Sequence, residues 1–415
     1  MNESEVAALV SQVLKEMTGQ APAAPASKPA PAKTCSSNSS CGGSIPKTAR
    51  VAMLTELHKF EVKEYPIPPV GDDDILVKVE GCGVCGTDVH EWNKDPFGLI
   101  PVVLGHEGTG TIVAMGKNIK EDTQGNPVKI GDKIVTSVAV CNECAMCKLH
   151  PELPNLCQGA KIQGLLPDKE SNHLQGWFSD YMLIEKGATF FNVSDMSLDQ
   201  RMLIELSAVA VHAVRRATDT GLMPLGATIV IQGMGPVGLV VCAVLKTRGY
   251  RNIVAIDGSE MRLEMAHKLG ASHIINYSDF KSTEEKVECV KSITHGLGAD
   301  FAFQCTGAPP AAAEVWKFVR TGGGMCEMGF FTNNGDCTIN PHLDICSKEI
   351  TVVGSWTYGA LEYPDTISFV KQCCEMGLPL TDLITHRYGL DEMNEAMETN
   401  VAKKGIKIAY VNKDF

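Results

Sequence analysis

The chain has 415 residues, with 37 Lys and Arg against 49 Asp and Glu, a net charge of −12. Hydrophobic residues make up 44% and charged residues 21%, the balance of a soluble globular protein long enough for two or three domains. The acidic excess argues against a general nucleic-acid or anionic-membrane binder, and no run approaches the roughly 18 apolar residues of a membrane span. The 16 cysteines belong to a long chain whose first residues, MNESEVAALV, lack a basic n-region and a continuous apolar core. Glu3, Glu5 and Glu16 also argue against a mitochondrial transit peptide. The expected compartment is a reducing cytosol, with thiols free or on metal.

Val6, Leu9, Val10, Val13, Leu14 and Met17 fall on one helical face, which predicts an amphipathic helix over residues 1–18. Asn2 is its N-cap and Gly19 its stop. Residues 19–46 are rich in Ala, Pro, Ser and Gly and read as a linker carrying the exposed thiols Cys35 and Cys41. The apolar face of the helix needs a groove, on its own body or on a partner. Leader and linker resemble the encapsulation peptides of bacterial microcompartments. That resemblance implies docking on a shell or cargo protein and a cytoplasmic address inside such a shell.

The run ILVKVE predicts a strand over 75–80. It leads into Gly81-Cys82-Gly83-Val84-Cys85-Gly86-Thr87-Asp88-Val89-His90, and Gly105-His106-Glu107-Gly108 follows. Cys85 and His106 are ligand types that suit a catalytic zinc, which takes three protein ligands and keeps one position open. The third ligand is Glu107 or Glu205; either carboxylate with one thiolate neutralises Zn²⁺. Cys141, Cys144, Cys147 and Cys157 have the spacing of a closed structural zinc site. The stretch KLHPELPNL between the last two is expected to be a loop rather than a helix. Cys242, Cys289, Cys305, Cys326, Cys337, Cys346, Cys373 and Cys374 show no ligand spacing and are read as small apolar fillers. Trp92 and Phe97 follow the first zinc motif and are candidates for lining a substrate pocket. His58, His212 and His386 are read as structural.

The second half alternates strand and helix. TIVIQ at 228–232 precedes Gly233-Met234-Gly235-Pro236-Val237-Gly238 and an apolar helix. Gly233 makes the tight turn, Gly235 lets a pyrophosphate approach, and Gly238 lets the helix pack closely. The helix beginning at Pro236 and Val237 points its N-terminus at phosphate. The next strand ends in Asp257, an acid placed to bind ribose hydroxyls and repel a 2′-phosphate, so NAD(H) is expected over NADP(H). Arg262 opposes that preference but reads more simply as a surface helix residue. Further strands are expected at SHIINY and ADFAFQ and after Gly322–Gly324, with helices at 281–294 and near 311–320. The pattern is a doubly wound parallel sheet.

In this order the motifs resemble the zinc-dependent medium-chain alcohol dehydrogenase superfamily over about residues 50–415. The segment at Glu205 resembles its sorbitol and threonine dehydrogenase branch, where an acid stands in place of the cysteine of ethanol-type members. The resemblance implies an α/β protein in which a GroES-like, β-rich catalytic domain (47–208) is followed by an inserted Rossmann domain (209–354) and a return to the catalytic domain (355–415). It implies two zincs per chain, a Lewis-acid zinc and hydride transfer to NAD(H). It implies a relay from Thr87 to His90, with Asp88 orienting the zinc-bound histidine, and exchange of Glu107 and Glu205 at the metal. It also implies a homodimer or homotetramer. The substrate expected is a small alcohol, polyol or aldehyde. A threonine-type or amino-alcohol dehydrogenase and a catalytically silent docking protein are the rival readings.

Overall fold

The computed structural model describes residues 45–415. The leader helix, and the linker through Cys35 and Cys41 to residue 44, lie outside the described residues. Alternating buried and exposed positions build an antiparallel pair, β1 (Thr48–Glu56) and β2 (Lys59–Pro66). The ILVKVE run extends further than expected, as β3 (Ile75–Gly83), because its last three residues are buried and still paired. Then come α1 (Gly86–Lys94), the short β4 (Val102–Val103), β5 (Glu107–Met115), β6 (Lys133–Ser137), β7 (Tyr181–Ile184) and β8 (Thr189–Asn192). Helix α2 (Ile204–Thr218) runs straight through the expected 208/209 boundary, so both halves share it.

The second half follows as β9 (Thr228–Gln232), α3 (Pro236–Thr247), β10 (Asn252–Asp257), α4 (Glu260–Lys268), β11 (His273–Asn276), α5 (Thr283–Ile293), β12 (Ala299–Gln304), α6 (Pro309–Phe318), β13 (Val319–Glu327) and β14 (Thr351–Gly354). Its six strands lie in the order β11-β10-β9-β12-β13-β14, and every pair is parallel. This is the doubly wound arrangement whose strand order reverses beside β9, where ligands bind. Gly322–Gly324 lie inside β13 rather than before it: added Cβ atoms at Gly323 and Gly324 would meet neighbours at 2.6 and 2.7 Å, so only glycine lets this strand pack so closely.

The chain then returns through α7 (Tyr363–Glu375), β15 (Ile384–Tyr388), α8 (Met393–Val401) and β16 (Lys407–Val411). The strands join the first half in a seven-stranded sheet, β15-β16-β3-β5-β6-β8, with β7 also paired to β3. A smaller sheet, β2-β1-β4, packs beside it. The register sets Gly83 opposite Glu107 and, on the other side of β3, Gly83 opposite Ala409. The ends of three strands, β3, β5 and β16, therefore meet at one end of the sheet's centre. Among the described residues no helix is long and apolar enough to cross a membrane.

Two buried polar networks lock this frame. Arg201 is 2% exposed and bonds to Glu80 Oε2 at 2.6 Å, Thr109 Oγ1 at 3.0 Å and the Ser197 carbonyl at 3.3 Å. Glu362 accepts from His212 Nδ1 at 2.8 Å and Arg215 Nη2 at 2.6 Å. Burial alone would raise the Glu362 pKa, but these two donors outweigh it and hold the group at about 2, against an ordinary 4.5. A depressed native pKa stabilises the fold above the ordinary value and is lost as pH falls from about 4.5 to about 2. Glu362→Gln should therefore lower Tm at neutral pH. The gap to wild type should narrow on acidification to pH 3, as thermal denaturation at the two pH values will show.

The remaining cysteines divide by environment. Cys242, Cys326 and Cys373 are buried fillers, and burial pushes each thiol up to about 12. Cys289 and Cys305 are only partly covered, and Cys337, Cys346 and Cys374 are exposed. The exposed three lie in or beside loops and helix ends rather than in the core, which corrects the expectation that all eight are fillers. His58 is exposed and sets its ring edge against Trp92; His386 is half-buried beside Thr385.

Candidate active site

Cys85 caps the N-terminus of α1. Its backbone N–H donates to Asp88 Oδ2 at 2.8 Å, and the Gly105 N–H donates to Asp88 Oδ1 at 3.3 Å. Asp88 is fully buried and also sits 3.4 Å from His106 Nδ1. One carboxylate thus fixes the cysteine turn and the histidine turn and lies against the imidazole, whose Nδ1 makes no well-aligned hydrogen bond. Gly105 has φ +92°, and an added Cβ would lie 2.8 Å from Phe178, so this turn requires glycine.

The ligand atoms of Cys85, His106 and Glu107 lie within 4.8 Å of one another. Glu205 is not in that cluster; it stands in the first turn of α2 and faces the same cavity. Glu107 is 1% exposed, and neither of its oxygens receives a well-aligned hydrogen bond, although the Lys407 ammonium is ion-paired with it. A thiolate, an imidazole and an under-satisfied buried carboxylate form a donor set that fits zinc. Burial pushes Glu205 up to about 7; nearby His106 opposes this and Glu107 reinforces it. Burial would lower the Lys407 pKa, but Glu107, Cys85 and Glu205 outweigh it and keep the ammonium charged.

The four-cysteine lobe has Sγ–Sγ separations of 3.4 Å (Cys141–Cys157), 3.6 Å (Cys144–Cys147) and 3.9 Å (Cys141–Cys147). A tetrahedral Zn–S₄ centre has edges of about 3.8 Å, so the four fit a closed zinc site. Backbone N–H groups of Cys144, Cys147 and Cys141 point at the sulfurs of Cys141, Cys144 and Cys157. Donors from Cys147 and Gln158 pull the Cys144 thiol down to about 6. The stretch expected as pure loop begins with the last two residues of the helical turn Ala145–Leu149 and ends in the turn Pro154–Leu156. Cys144 caps the first with its sulfur and Pro154 starts the second, local signals that two prolines in nine residues had obscured.

Gly233 turns the chain at φ +94°, and a Cβ on Gly238 would fall 2.0 Å from the Gly233 carbonyl oxygen. Nothing lies within 4 Å of a Cβ on Gly235, so the face over the turn is open at the N-terminus of α3, beside Pro236 and Val237. Asp257 accepts from the N–H groups of Met234 (2.7 Å), Gly258 (2.8 Å) and Ser259 (2.9 Å). It therefore braces the glycine-rich turn as well as ending β10. Arg262 is half-buried, approaches the Gly405 carbonyl at 3.5 Å and lines the cavity, which corrects its reading as a surface residue.

One cavity of about 740 Å³ joins the metal cluster and Glu205 to Pro236, Val237 and Arg262. Thr87 is on its wall, with Oγ1 3.7 Å from Cys85 Sγ. His90 lines it too, half-buried and edge-on to Phe331; burial and Lys94 depress its pKa. Phe97 lines the cavity, whereas Trp92 is 6% exposed and packs in the core with Val84 and Leu104, correcting its candidacy. Sequence reasoning missed Lys407, Tyr358 and Asn155, all on the cavity wall. A lysine inside the apolar run IKIAYV was the one available signal for the first.

Residues 71–195 match the alcohol dehydrogenase GroES-like domain, and residues 236–372 match the zinc-binding dehydrogenase domain. The chain is 32% identical over 360 residues to a sorbitol dehydrogenase from Bacillus subtilis, covering 85% of this chain and 94% of the relative. It is 30% identical over 380 residues to D-xylulose reductase A from Aspergillus oryzae, covering 90% and 99%. A crystal structure of an alcohol dehydrogenase from Thermotoga maritima superposes with a TM-score of 0.81 at 30% identity, covering 88% and 100%. Two domain matches in chain order, and relatives at 30% identity or more spanned almost end to end, establish that the chain belongs to the zinc-dependent medium-chain alcohol dehydrogenase family.

Proposed function

We propose that the protein interconverts a small alcohol or polyol and its aldehyde or ketone, using zinc and NAD(H). The observation that carries this reading is the single cavity holding Cys85, His106 and Glu107 at one end and the Gly-rich turn's Pro236 and Val237 at the other. The named activities of the sorbitol and xylulose relatives point to polyols. When bound, zinc on Cys85, His106 and Glu107 supplies Lewis acidity, and the nicotinamide exchanges hydride. A second zinc on the four cysteines holds the lobe. Glu205 offers a second carboxylate that can exchange with Glu107.

The chain's own residues do the rest. Thr87 accepts the substrate hydroxyl proton by hydrogen bond at the cavity wall and His90 carries it toward solvent. Asp88 holds His106 in one tautomer. The open N-terminus of α3 receives the pyrophosphate. Asp257 disfavours a 2′-phosphate, so NAD⁺ should exceed NADP⁺ in kcat/KM. Thr87→Val should cut kcat by roughly 100-fold, the usual size of a proton-transfer contribution, with KM for NAD⁺ unchanged.

The leader is assigned to microcompartment encapsulation, where aldehyde reduction would regenerate NAD⁺; the body is assigned to a homodimer or homotetramer. A fluorescent protein bearing residues 1–45 that stays diffuse in shell-making cells sinks the leader assignment. The main test is NADH formation by the purified full chain across C2–C6 alcohols, diols, polyols and threonine, with zinc counted in the same sample. About two zincs and turnover on one substrate group support the proposal. Two zincs with no turnover on either cofactor overturn it in favour of a docking role.

A further inference from the structure

The cysteine lobe reaches the substrate cavity. Asn155, in the lobe's second helical turn, donates from Nδ2 to the Trp356 carbonyl at 2.9 Å, across 201 positions of sequence. Beside it, Pro154 packs directly on the Gly359 backbone: a Cβ at Gly359 would lie 2.5 Å from Pro154 Cγ. Between these two ties stands Thr357 at φ +48°. A β-branched residue in the left-handed region is strained, and it persists only where its surroundings over-determine it. The strained segment borders the cavity: Ser355, Trp356, Thr357 and Tyr358 all line it, together with Asn155 and Cys157 of the lobe. Tyr358 is buried, and Glu205 lines the same cavity.

We propose that Asn155 is a positioning residue through which the four-cysteine lobe sets the shape of the substrate wall, and so the chain-length selectivity of the enzyme. The lobe is thereby a ruler for the substrate as well as a staple for the fold. The inference rests on the dehydrogenase reading above. Asn155 touches no reacting atom; it acts through the Trp356 carbonyl, which holds Thr357 and Tyr358 in place. Leu and Ile at 155 would lose the donor and crowd the wall, so the informative variants are Asn155→Ala and Asn155→Asp. The second keeps the shape and removes the donor.

The experiment compares wild type and both variants, as full zinc-loaded chains. It measures kcat and KM on a ladder of C3–C6 diols and polyols, and hydrogen exchange at the amides of residues 355–359. The expected result is faster exchange at those amides and a KM increase of roughly tenfold on the best substrate, the size of one lost hydrogen bond. The ratio of kcat/KM between best and worst substrates should fall at least several-fold, with kcat on the best substrate within about threefold and two zincs retained. A uniform loss across the ladder with selectivity intact overturns the proposal, as does unchanged exchange. A wild type without turnover defeats the dehydrogenase reading and the selectivity claim together; the exchange data then still decide whether the tether exists.

Discussion

Cys85→Ser should lower kcat/KM by roughly 1000-fold or more and reduce bound zinc from two to one per chain. The argument is chemical and local. Serine keeps the shape of the α1 cap and the hydrogen bond from the residue 85 N–H to Asp88, so the turn should survive. The thiolate is lost, and a neutral hydroxyl leaves His106 and Glu107 as a two-ligand site. Lewis-acid stabilisation is worth several kcal/mol, and each 1.36 kcal/mol is tenfold in rate. The measurement is steady-state NADH formation with metal analysis on the same preparation. The far-UV spectrum should be unchanged. Retained activity with one zinc would mean that the four-cysteine centre is the one being lost, and would overturn the assignment of Cys85.

Arg201→Met should destabilise the fold by roughly 3–5 kcal/mol while leaving turnover per folded molecule nearly intact. Arg201 makes three hydrogen bonds in a fully buried setting, and its loss leaves Glu80, which is 1% exposed, with only the Thr111 hydroxyl and the more distant Lys133 ammonium at 3.6 Å. Arg201 and the Thr111 hydroxyl each donate directly to Glu80 and hold its pKa below the ordinary carboxylate value, even though burial pushes the other way. The double variant Arg201→Met with Glu80→Gln should recover most of the loss, since the cost of a buried charge without its closest partner is then removed. Denaturant unfolding of the four proteins in the cycle measures this. Equal destabilisation of single and double variants would show that packing, not the unpaired carboxylate, sets the cost.

The parts legible in the sequence are those whose partners are near in sequence or carry a period. The Gly233–Gly238 turn sits between a five-residue apolar strand and an apolar helix, so its neighbours identify it. Cys141, Cys144 and Cys147 are spaced to share one turn. Cys85 follows β3 and His106 precedes β5, so the antiparallel pairing brings both to the same end. What escaped reading depends on long-range closure. Lys407 reaches Glu107 across 300 positions, and Asn155 reaches Trp356 across 201. Neither pairing leaves a periodic trace. Trp92 and Phe97 differ by five positions, yet one points into the core and the other into the cavity, because α1 ends at Lys94 and Asp95 turns the chain at φ +47°. A single sequence does not show on which side of such a turn an aromatic lands. Arg262 was misread for the same reason: its partner carbonyl belongs to Gly405, which only the returning C-terminal segment supplies.

That return has a consequence for how the protein comes into being. Strand β16 lies between β15 and β3, so the strand leading to Cys85 lacks its neighbour until more than 300 further residues have been made. Contacts of such separation form late, after the locally wired parallel sheet has had time to fold. During synthesis, β3 presents an unpaired edge beside Cys82 and Cys85. A ribosome-bound chain should therefore bind zinc at the cysteine lobe first and complete the Cys85 centre only when Lys407 has emerged. On the two-zinc proposal, the path of the chain sets which of the two sites can be completed first.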